Sequence, residues 1–362
     1  MLKEIYEQPS VVEEILETRL RAGKIKFDGI NRKIENRLRK VKKIHFVSCG
    51  TAYHAGLVGN YMMGESLELP CEATVSSEFR YEDPVVNEED LVILITQSGE
   101  TADTLAALRE AKKKKALTLA IVNVVGSTIA READCVIYTH AGPEIGVAST
   151  KAYLAQLMAI VLFSIYLGKL HNKRRRHFNS AKIKSLLREI LKLPHQVSEV
   201  LKQKKAIEKC ARDLYRHKNF LYLGRGYNFP NALEGALKLK EITYAHAHGY
   251  PAGEMKHGPI ALIDHKQPVI CICPKRSKTY DKMVSNIEEI KARKGIIISI
   301  ATKGDRKVEK LSQYSFFFPD TEEMLSPILS VVPLQLFAYL IAVMNDKDVD
   351  QPRNLAKSVT VE

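Results

Sequence analysis

Short apolar runs alternate with segments of helical periodicity through the first half of the chain. Four of these runs are rich enough in branched residues to predict strands, at 44–47, 91–95, 119–122 and 136–138. Most of the segments between them repeat apolar residues at helical spacing. This alternation predicts an α/β fold in which helices cover a parallel sheet.

Three segments of the second half resemble three segments of the first half, in the same order and at an offset of about 175 to 180 residues. The pairs are HFVSCGT at 45–51 with FLYLGRG at 220–226, LVILITQ at 91–97 with PVICICP at 268–274, and LTLAIVN at 117–123 with IIISIAT at 296–302. We therefore predict an internal duplication. The predicted parts are a first domain over 1–178, a second domain over 179–345 and a C-terminal tail over 346–362, with the basic segment 171–184 as linker.

The composition narrows the class of partner. The chain has 362 residues, 45% of them hydrophobic, which suits two domains of ordinary size. A net charge of +13 suits an anionic partner, either nucleic acid or a phosphorylated small molecule. The basic runs at 112–115 and 173–176 carry no interleaved aromatic residues, and Trp is absent. We interpret both runs as solvated helix ends or linkers and predict no nucleic-acid binding.

Cysteine usage and the apolar stretches predict a cytoplasmic protein. Six cysteines are scattered without CxxC spacing, and Cys271 and Cys273 alternate with isoleucines as core positions of one strand would. The N-terminus lacks the apolar region of a signal peptide. The stretches 157–167 and 325–344 are respectively too short and interrupted by Pro and Gln, so they predict buried helices and no membrane span.

The segment TQSGET at 96–101 ends the second predicted strand in polar residues. Ligands of open parallel sheets bind beyond the carboxyl ends of strands, where the next helix presents free N–H groups. Thr96, Gln97, Ser98 and Thr101 offer hydroxyl and amide donors to a phosphate, and Gly99 allows close approach. The alternative is a plain helix N-cap. The second repeat has PKRSKT at 274–279 instead, so the loop is not a requirement of the fold.

Two other turns are weaker candidates for the same crevice. Cys49, Gly50 and Thr51 follow the first predicted strand, and the segment EIGVASTK at 144–151 follows the fourth. Each is also what an ordinary turn with an N-cap requires. No P-loop or GxGxxG motif is present, which disfavours a nucleoside triphosphate or a dinucleotide.

The second repeat concentrates ionisable residues. Glu234, Lys238 and Glu241 share one face of a predicted helix that is apolar around much of its circumference. The stripe is either a surface ladder of ion pairs or an enclosed site in which Lys238 and Glu241 are tuned for proton transfer. His257 lies in the loop KHGP. We place His246 and His248 on a helix, where residues two apart cannot share a ligand, and predict no metal site and no cofactor.

Eight segments carry a resemblance to a known family. They are CGT, SEFRY, QSGETADT, EIGVASTKA, ALEGALKLKEI, GEMKHGP, VPLQL and DVDQPRNLAKSVTVE, in order along essentially the whole chain. Together they resemble the isomerase half of glutamine–fructose-6-phosphate aminotransferases. The resemblance implies two tandem sugar-isomerase (SIS) domains, each a flavodoxin-like three-layer sandwich, followed by an active-site tail. It also implies a role in amino-sugar synthesis, toward UDP-N-acetylglucosamine.

The resemblance also implies roles for individual residues. Those expected to hold fructose 6-phosphate are Cys49, Gly50, Thr51, Thr96, Gln97, Ser98, Thr101, Val147, Ser149 and Ala356. Lys357 is the expected Schiff-base partner at C2, Glu241 the base that moves a proton between C1 and C2, and Lys238 a cation beside the developing oxygen. His257 is the expected ring-opening acid and base, contributed by the other subunit of a homodimer.

The chain departs from the family pattern at a few positions. Ala52 and Thr96 stand where serine is common, which predicts a somewhat weaker hold on phosphate, and His248 stands where glutamate is common and has no assigned role.

The sequence begins near the point where the isomerase half of these enzymes begins, so the resemblance does not include the family's N-terminal glutaminase. The chain is therefore either an excised domain or a separate isomerase subunit, with ammonia from solution or from a separate glutaminase. It makes glucosamine 6-phosphate, interconverts fructose and glucose 6-phosphates, or serves as a phosphosugar-binding regulator, and the retained Schiff-base lysine disfavours the regulator.

Overall fold

The computed structural model describes residues 1–21, 23–171 and 179–360. Its strands are β1 Leu20–Arg21, β2 Lys24–Ile25, β3 Lys43–Ser48, β4 Cys71–Val75, β5 Asp90–Thr96, β6 Leu117–Val122, β7 Cys135–Tyr138, β8 Asn219–Gly224, β9 His246–Pro251, β10 Pro268–Cys273, β11 Ile296–Thr302 and β12 Tyr314–Phe318. Its helices are α1 Leu2–Arg19, α2 Arg32–Leu38, α3 Gly50–Leu67, α4 Ser76–Tyr81, α5 Ala102–Lys113, α6 Thr128–Glu132, α7 Lys151–Leu170, α8 Ser180–Ile190, α9 Leu193–Leu201, α10 Lys204–Leu214, α11 Phe229–Thr243, α12 Tyr280–Ala292, α13 Arg306–Leu311 and α14 Ser326–Met344. Short 3₁₀ helices cover Gly226–Asn228, Ala252–His257, Pro259–Leu262 and Glu323–Leu325.

Two five-stranded parallel sheets carry the fold. The first has the order β4-β3-β5-β6-β7, and the second has the order β9-β8-β10-β11-β12. Numbered within each five-stranded sheet, both orders read 2-1-3-4-5, the flavodoxin-like arrangement. The predicted α/β fold and the predicted duplication are confirmed, since corresponding segments occupy corresponding strands.

Most of the predicted strands are buried, and the exception is β7, an edge strand with alternating burial. Every residue of β5, β6 and β10 is buried, because a strand inside a helix-covered parallel sheet has no solvent face. The pattern did not predict β4, β9 and β12. All three are edge strands that include partly exposed positions and polar residues, so the continuous apolar signal is lost.

Two long apolar helices, α7 and α14, form core rather than surface. Both are long and apolar enough to cross a membrane, yet 83% of the apolar window of each is buried inside the fold. Helix α7 packs on α3, and α14 packs on α9, α10 and α11. A helix that is apolar all round is expected when neighbouring helices cover every face. The prediction of buried helices is therefore confirmed.

The described residues divide into two compact units. The first unit comprises Ser10–Glu144, Lys151–Leu191 and the chain from Ala356 onward, and holds the first sheet. The second unit comprises Met1–Pro9, Ile145–Thr150 and Lys192–Leu355, and holds the second sheet. The predicted domain boundary at 178/179 lies at the edge of residues 172–178, which are outside the described ranges and include the basic run 173–176, and the domain boundaries stay a prediction.

The structure also tests the predictions made for the basic run 112–115 and for the cysteines. The basic run 112–115 covers the exposed end of α5, as predicted. Cys271 and Cys273 are fully buried in β10, as predicted. All six cysteines are free thiols. Burial raises the pKa of the Cys71 and Cys135 thiols to about 12, which keeps both protonated and unreactive at neutral pH.

Candidate functional site

The carboxyl ends of β3 and β5 lie side by side at the switch point of the first sheet. The two strands pair in parallel with Ser48 opposite Ile95, so the turn at Cys49 and the loop after Thr96 leave the sheet at the same edge. Strand order reverses between β3 and β5, and ligands of such sheets bind in the crevice that this reversal opens. The structure thus brings together two of the sequence-predicted binding segments.

The loop between β5 and α5 is folded around its own hydroxyl groups. The Thr96 hydroxyl accepts a hydrogen bond from the Gly99 N–H at 3.2 Å and lies 3.1 Å from the Thr101 hydroxyl. The Ser98 hydroxyl accepts from the Glu100 N–H at 3.2 Å. Residue Thr101, not Ser98, is the N-cap of α5, and its side chain makes no capping bond. The N-cap interpretation therefore does not account for these hydroxyls.

Gly99 and Glu100 connect the loop to neighbouring segments. Gly99 has φ +70°, and a Cβ there would collide with the Ser127 side chain, so both backbone angle and space require glycine. The Glu100 carboxylate accepts from the Thr128 N–H at 2.7 Å, and this bond lowers the Glu100 pKa. The Gln97 carbonyl accepts from the Asn123 N–H at 3.1 Å. The loop is thereby tied to the end of β6 and the start of α6.

The turn after β3 has free space beside its glycine, Gly50. Cys49 is the N-cap of α3 and makes no side-chain capping bond. Gly50 has φ +56°, and a Cβ there would meet nothing within 4 Å. Thr51, in the first turn of α3, is partly exposed, whereas Ala52 is buried.

The corresponding loop of the second sheet binds the chain's own carboxylate. Ser277 donates its hydroxyl to Glu323 at 2.6 Å, and the Lys278 N–H donates to the other oxygen of Glu323 at 3.3 Å. Arg276 pairs with Asp320. The donors of this loop are therefore engaged internally, which fits the prediction that only the first repeat has a phosphate loop.

The C-terminal tail brings Lys357 to the first unit. Its ammonium lies 2.5 Å from the Glu144 carboxylate, whose side chain is fully buried. The other Glu144 oxygen accepts from the Ala152 N–H at 3.1 Å, in the first turn of α7. Further along, the Val359 carbonyl accepts from the Ala102 N–H at 3.2 Å, at the first residue of α5. The tail thus reaches the start of α5, directly after the loop 96–101, which we call the hydroxyl loop. Ala356, also on the tail, is exposed.

Helix α11 carries the charged face in the second unit. The Lys238 ammonium lies 2.6 Å from Glu241 and 3.4 Å from Glu234. The side chains of Lys238 and Glu234 are 1% and 0% exposed, and that of Glu241 is 21% exposed. The shared helix face and its enclosure are confirmed. A buried cation beside a partly accessible carboxylate can hold that carboxylate in one orientation.

The segment 145–150 is also held within the second unit. The buried Glu4 carboxylate accepts from the N–H groups of Ile145 at 2.5 Å and Gly146 at 3.1 Å. The Val147 N–H donates to the Asp350 carbonyl at 2.9 Å. The Ser149 hydroxyl is buried and has no hydrogen-bond partner among the described residues. An unpartnered buried hydroxyl is a natural place for a ligand group to bind.

The histidines differ from the sequence interpretation. His246 and His248 lie on strand β9, so placing them on a helix was wrong, and residues two apart on a strand share a face. Their ring centroids are 6.4 Å apart, and His248 stacks on Tyr250 at 4.3 Å. Across the described ranges, no group of three or more His, Cys, Asp or Glu side chains could hold a metal ion. His257 is exposed at the end of the 3₁₀ helix Ala252–His257.

Three carboxylates that make the contacts described above were assigned no role by sequence reasoning: Glu144 in the first unit, and Glu4 and Glu323 in the second. Glu144 lay inside a recognised segment, EIGVASTKA, but its partner Lys357 is 213 residues away. Glu4 and Glu323 likewise bind groups far along the chain. In the sequence each of these glutamates is a single acidic residue near apolar ones. Such a pattern is common in proteins and does not by itself indicate a functional residue.

The chain is similar over its whole length to proteins of a known family. The SIS domain family model matches residues 37–166 and 213–345. The chain is 52% identical to the glutamine–fructose-6-phosphate aminotransferase (isomerizing) of Chlorobaculum tepidum and 50% identical to that of Thermus thermophilus. Each match covers the whole chain but only 58% and 59% of the relative.

Solved structures extend the comparison to the fold. The C-terminal domain of the Francisella tularensis glucosamine–fructose-6-phosphate aminotransferase superposes with a TM-score of 0.91 at 38% identity, over 97% of this chain and 98% of that one. A Thermotoga maritima glucosamine-6-phosphate deaminase, at 22% identity over 99% of this chain and 98% of its own, shares the fold with a TM-score of 0.74. The chain therefore belongs to the SIS domain family, as a pair of tandem SIS domains grouped with the C-terminal domains of glutamine–fructose-6-phosphate aminotransferases.

Proposed function

We propose that this chain is the isomerase domain of a glucosamine-6-phosphate synthase, which converts fructose 6-phosphate and ammonia to glucosamine 6-phosphate. The observation that carries the proposal is the hydroxyl loop at the switch point of the first sheet. Its side chains make no capping bond at the start of α5. In the corresponding loop of the second sheet, the donors of Ser277 and Lys278 are bonded to Glu323. Hydroxyl groups at a helix N-terminus suit a phosphate monoester.

In this proposal the two units divide the work. Thr96, Gln97, Ser98 and Thr101 bind the phosphate. The sugar is held by Cys49, Gly50, Thr51, Val147, Ser149 and Ala356. Two observations support these assignments. The turn at Cys49 and the loop after Thr96 lie at one edge of the sheet, and the buried Ser149 hydroxyl has no hydrogen-bond partner among the described residues.

The chemical steps fall to four residues. Lys357 forms the Schiff base at C2, and ammonia then replaces the lysine nitrogen. Glu241 moves a proton between C1 and C2, which an iminium at C2 makes acidic enough to transfer. Lys238 places a positive charge beside the oxygen that becomes negative, in an enclosed setting where such a charge acts strongly. His257 opens the sugar ring.

We propose further that the chain acts as a cytoplasmic homodimer in amino-sugar synthesis leading to UDP-N-acetylglucosamine. The exposure of His257 supports its acting on the site of a second copy. Ammonia is supplied by a glutaminase domain or subunit. A mixture of the inactive variants Glu241→Ala and His257→Ala should regain activity, since one site in each mixed dimer is intact. No recovery after proven subunit exchange would contradict the shared site.

Incubation with fructose 6-phosphate, with and without ammonium, tests the activity. We expect glucosamine 6-phosphate only when ammonium is present. Glucose 6-phosphate in both conditions and no amino sugar would assign a phosphosugar isomerase. Phosphosugar binding without turnover in either condition would assign a regulator.

A further inference from the structure

Glu144 and Lys357 form an ion pair for which the fold provides a fixed end and a movable end. The Glu144 side chain is fully shielded from solvent, and one oxygen is bonded to the Ala152 N–H at 3.1 Å, at the positive end of the α7 dipole. Lys357 lies on the tail, is 24% exposed and meets the other oxygen at 2.5 Å. The carboxylate is thus fixed by the domain, and the lysine comes to it.

This pairing bears on the proposed chemistry at Lys357. A lysine attacks a carbonyl carbon only as a neutral amine, so an ammonium must first give a proton to a base. Glu144 is in direct contact with the nitrogen that must lose this proton. From this geometry we propose that Glu144 is the proton relay and counter-ion of the Schiff base at Lys357, an inference that rests on the proposed function.

The proton balance closes on Glu144 alone. The Lys357 ammonium gives one proton to a Glu144 oxygen, and the neutral nitrogen attacks C2 while the carbonyl electrons move to the C2 oxygen. One proton passes from the nitrogen to that oxygen and forms a carbinolamine. The nitrogen lone pair then expels the C2 hydroxyl, which takes the proton from Glu144 and leaves as water. The products are an iminium and a restored carboxylate.

The charges explain why a carboxylate suits this position. An ammonium faces Glu144 before the reaction, and an iminium on the same nitrogen faces it afterwards. The buried negative charge is therefore paired in both states, and no isolated charge is left in the interior. A neutral residue would stabilise neither cation. Helix α7 keeps the carboxylate in place, so little reorganisation is needed as the nitrogen changes partners.

Reductive trapping measures this step separately from amination. The purified chain is mixed with fructose 6-phosphate and sodium cyanoborohydride, and mass spectrometry follows the reduced adduct on the peptide that contains Lys357. Glu144→Gln keeps the size of the side chain and an oxygen for the Ala152 N–H. We expect its trapping rate to fall about 100-fold, since positioned proton transfer contributes about that factor. Binding of fructose 6-phosphate, measured by calorimetry, should change little.

Two further variants complete the design. Glu144→Asp keeps the charge but shortens the reach, and we expect a trapping rate between those of wild type and Glu144→Gln. Glu89→Gln removes a surface ion pair with Lys42 in the same unit and should trap at the wild-type rate. Should Glu144→Gln fail to fold, Glu144→Asp decides alone.

The outcomes separate this inference from the proposed function. A wild-type chain that binds fructose 6-phosphate but gives no adduct at Lys357 would overturn the Schiff-base role itself. An adduct at Lys357 that forms equally fast in folded Glu144→Gln or Glu144→Asp would overturn only the role of Glu144. A slower adduct in both variants, with unchanged sugar binding, supports the relay.

Discussion

The Lys238 ammonium lies 2.6 Å from the Glu241 carboxylate, one turn along the same helix, and the lysine is the more deeply buried partner. Its second neighbour, Glu234, is completely buried at 3.4 Å. The cation therefore serves two carboxylates, one interior and one partly accessible. Such an arrangement presents Glu241 to a ligand in a fixed orientation while Glu234 balances the buried charge.

Glu241→Gln should abolish proton transfer and leave sugar binding intact. The amide keeps the shape of the side chain but cannot accept a proton from carbon. We expect kcat for glucosamine 6-phosphate formation to fall by at least about 100-fold, with a small change in KM. Glu208→Gln, on the surface of α10, is the control. Wild-type kcat in the Glu241 variant would rule out its role as the base.

Lys238→Met should destabilise the second unit. It removes the cation that lies beside Glu234 and Glu241, so negative charge is left in the interior. Breaking a buried ion pair costs about 3–5 kcal/mol of unfolding free energy. Lys240→Met, at an exposed position of the same helix, should change it by less than about 0.5 kcal/mol. Urea unfolding of both variants gives the comparison, and equal losses would contradict it.

Thr101→Val should weaken phosphate binding in a way that its counterpart Thr279→Val does not. Thr101 precedes α5 in the hydroxyl loop, whereas Thr279 lies 2.8 Å from the Ser277 hydroxyl in the filled loop. Loss of one hydrogen bond to a charged phosphate should raise KM for fructose 6-phosphate about 10-fold. Steady-state kinetics on both variants tests this, and a similar KM in the two would remove the distinction between the loops.

Gly99→Ala should distort the loop, and Gly126→Ala supplies a matched control. The two glycines have φ +70° and +73°, but only at Gly99 would a Cβ collide with Ser127. Positive φ alone costs about 1–2 kcal/mol, and the collision adds about 1–3 kcal/mol at Gly99. We expect a raised KM for fructose 6-phosphate only in Gly99→Ala. Thermal unfolding measures stability, and equal effects at both positions would refute the close-packing argument.

Glu4 should make the stability of the second unit depend on pH. Burial opposes its charge, but hydrogen bonds from Gly146 and Ile145 outweigh burial and lower its pKa below the ordinary value of 4.5. A lowered folded-state pKa stabilises the fold above pH 4.5, and this stabilisation is lost as pH falls through the folded value.

The matched variants for this prediction are on one helix. Wild type should lose more thermal stability than Glu4→Gln between about pH 6 and pH 3. Glu13→Gln, at an exposed position of α1, should follow the wild type. Parallel pH profiles for wild type and Glu4→Gln would show that the hydrogen bonds from Ile145 and Gly146 to Glu4 do not make stability depend on pH.

Sequence patterns predicted the elements whose signal is local. The buried strands β3, β5 and β6 follow from continuous apolar runs, and the duplication follows from the matched runs in β8, β10 and β11. Strand β9 was missed because the buried residues that alternate with its exposed histidines are the small Ala247 and Gly249, which give only a weak apolar signal. Because no strand was predicted there, His246 and His248 were wrongly placed on a helix.

By itself, the sequence determined the fold class, the repeat, the hydroxyl loop and the charged stripe of α11, because spacing along a chain dictates which residues share a strand or a helix face. Only the tertiary structure decided which carboxylates serve these elements. Glu144 meets Lys357 from 213 residues away, and Glu323 fills the second loop from 46 residues away. Such contacts depend on where the sheet order and the tail bring distant segments, and no local period encodes that.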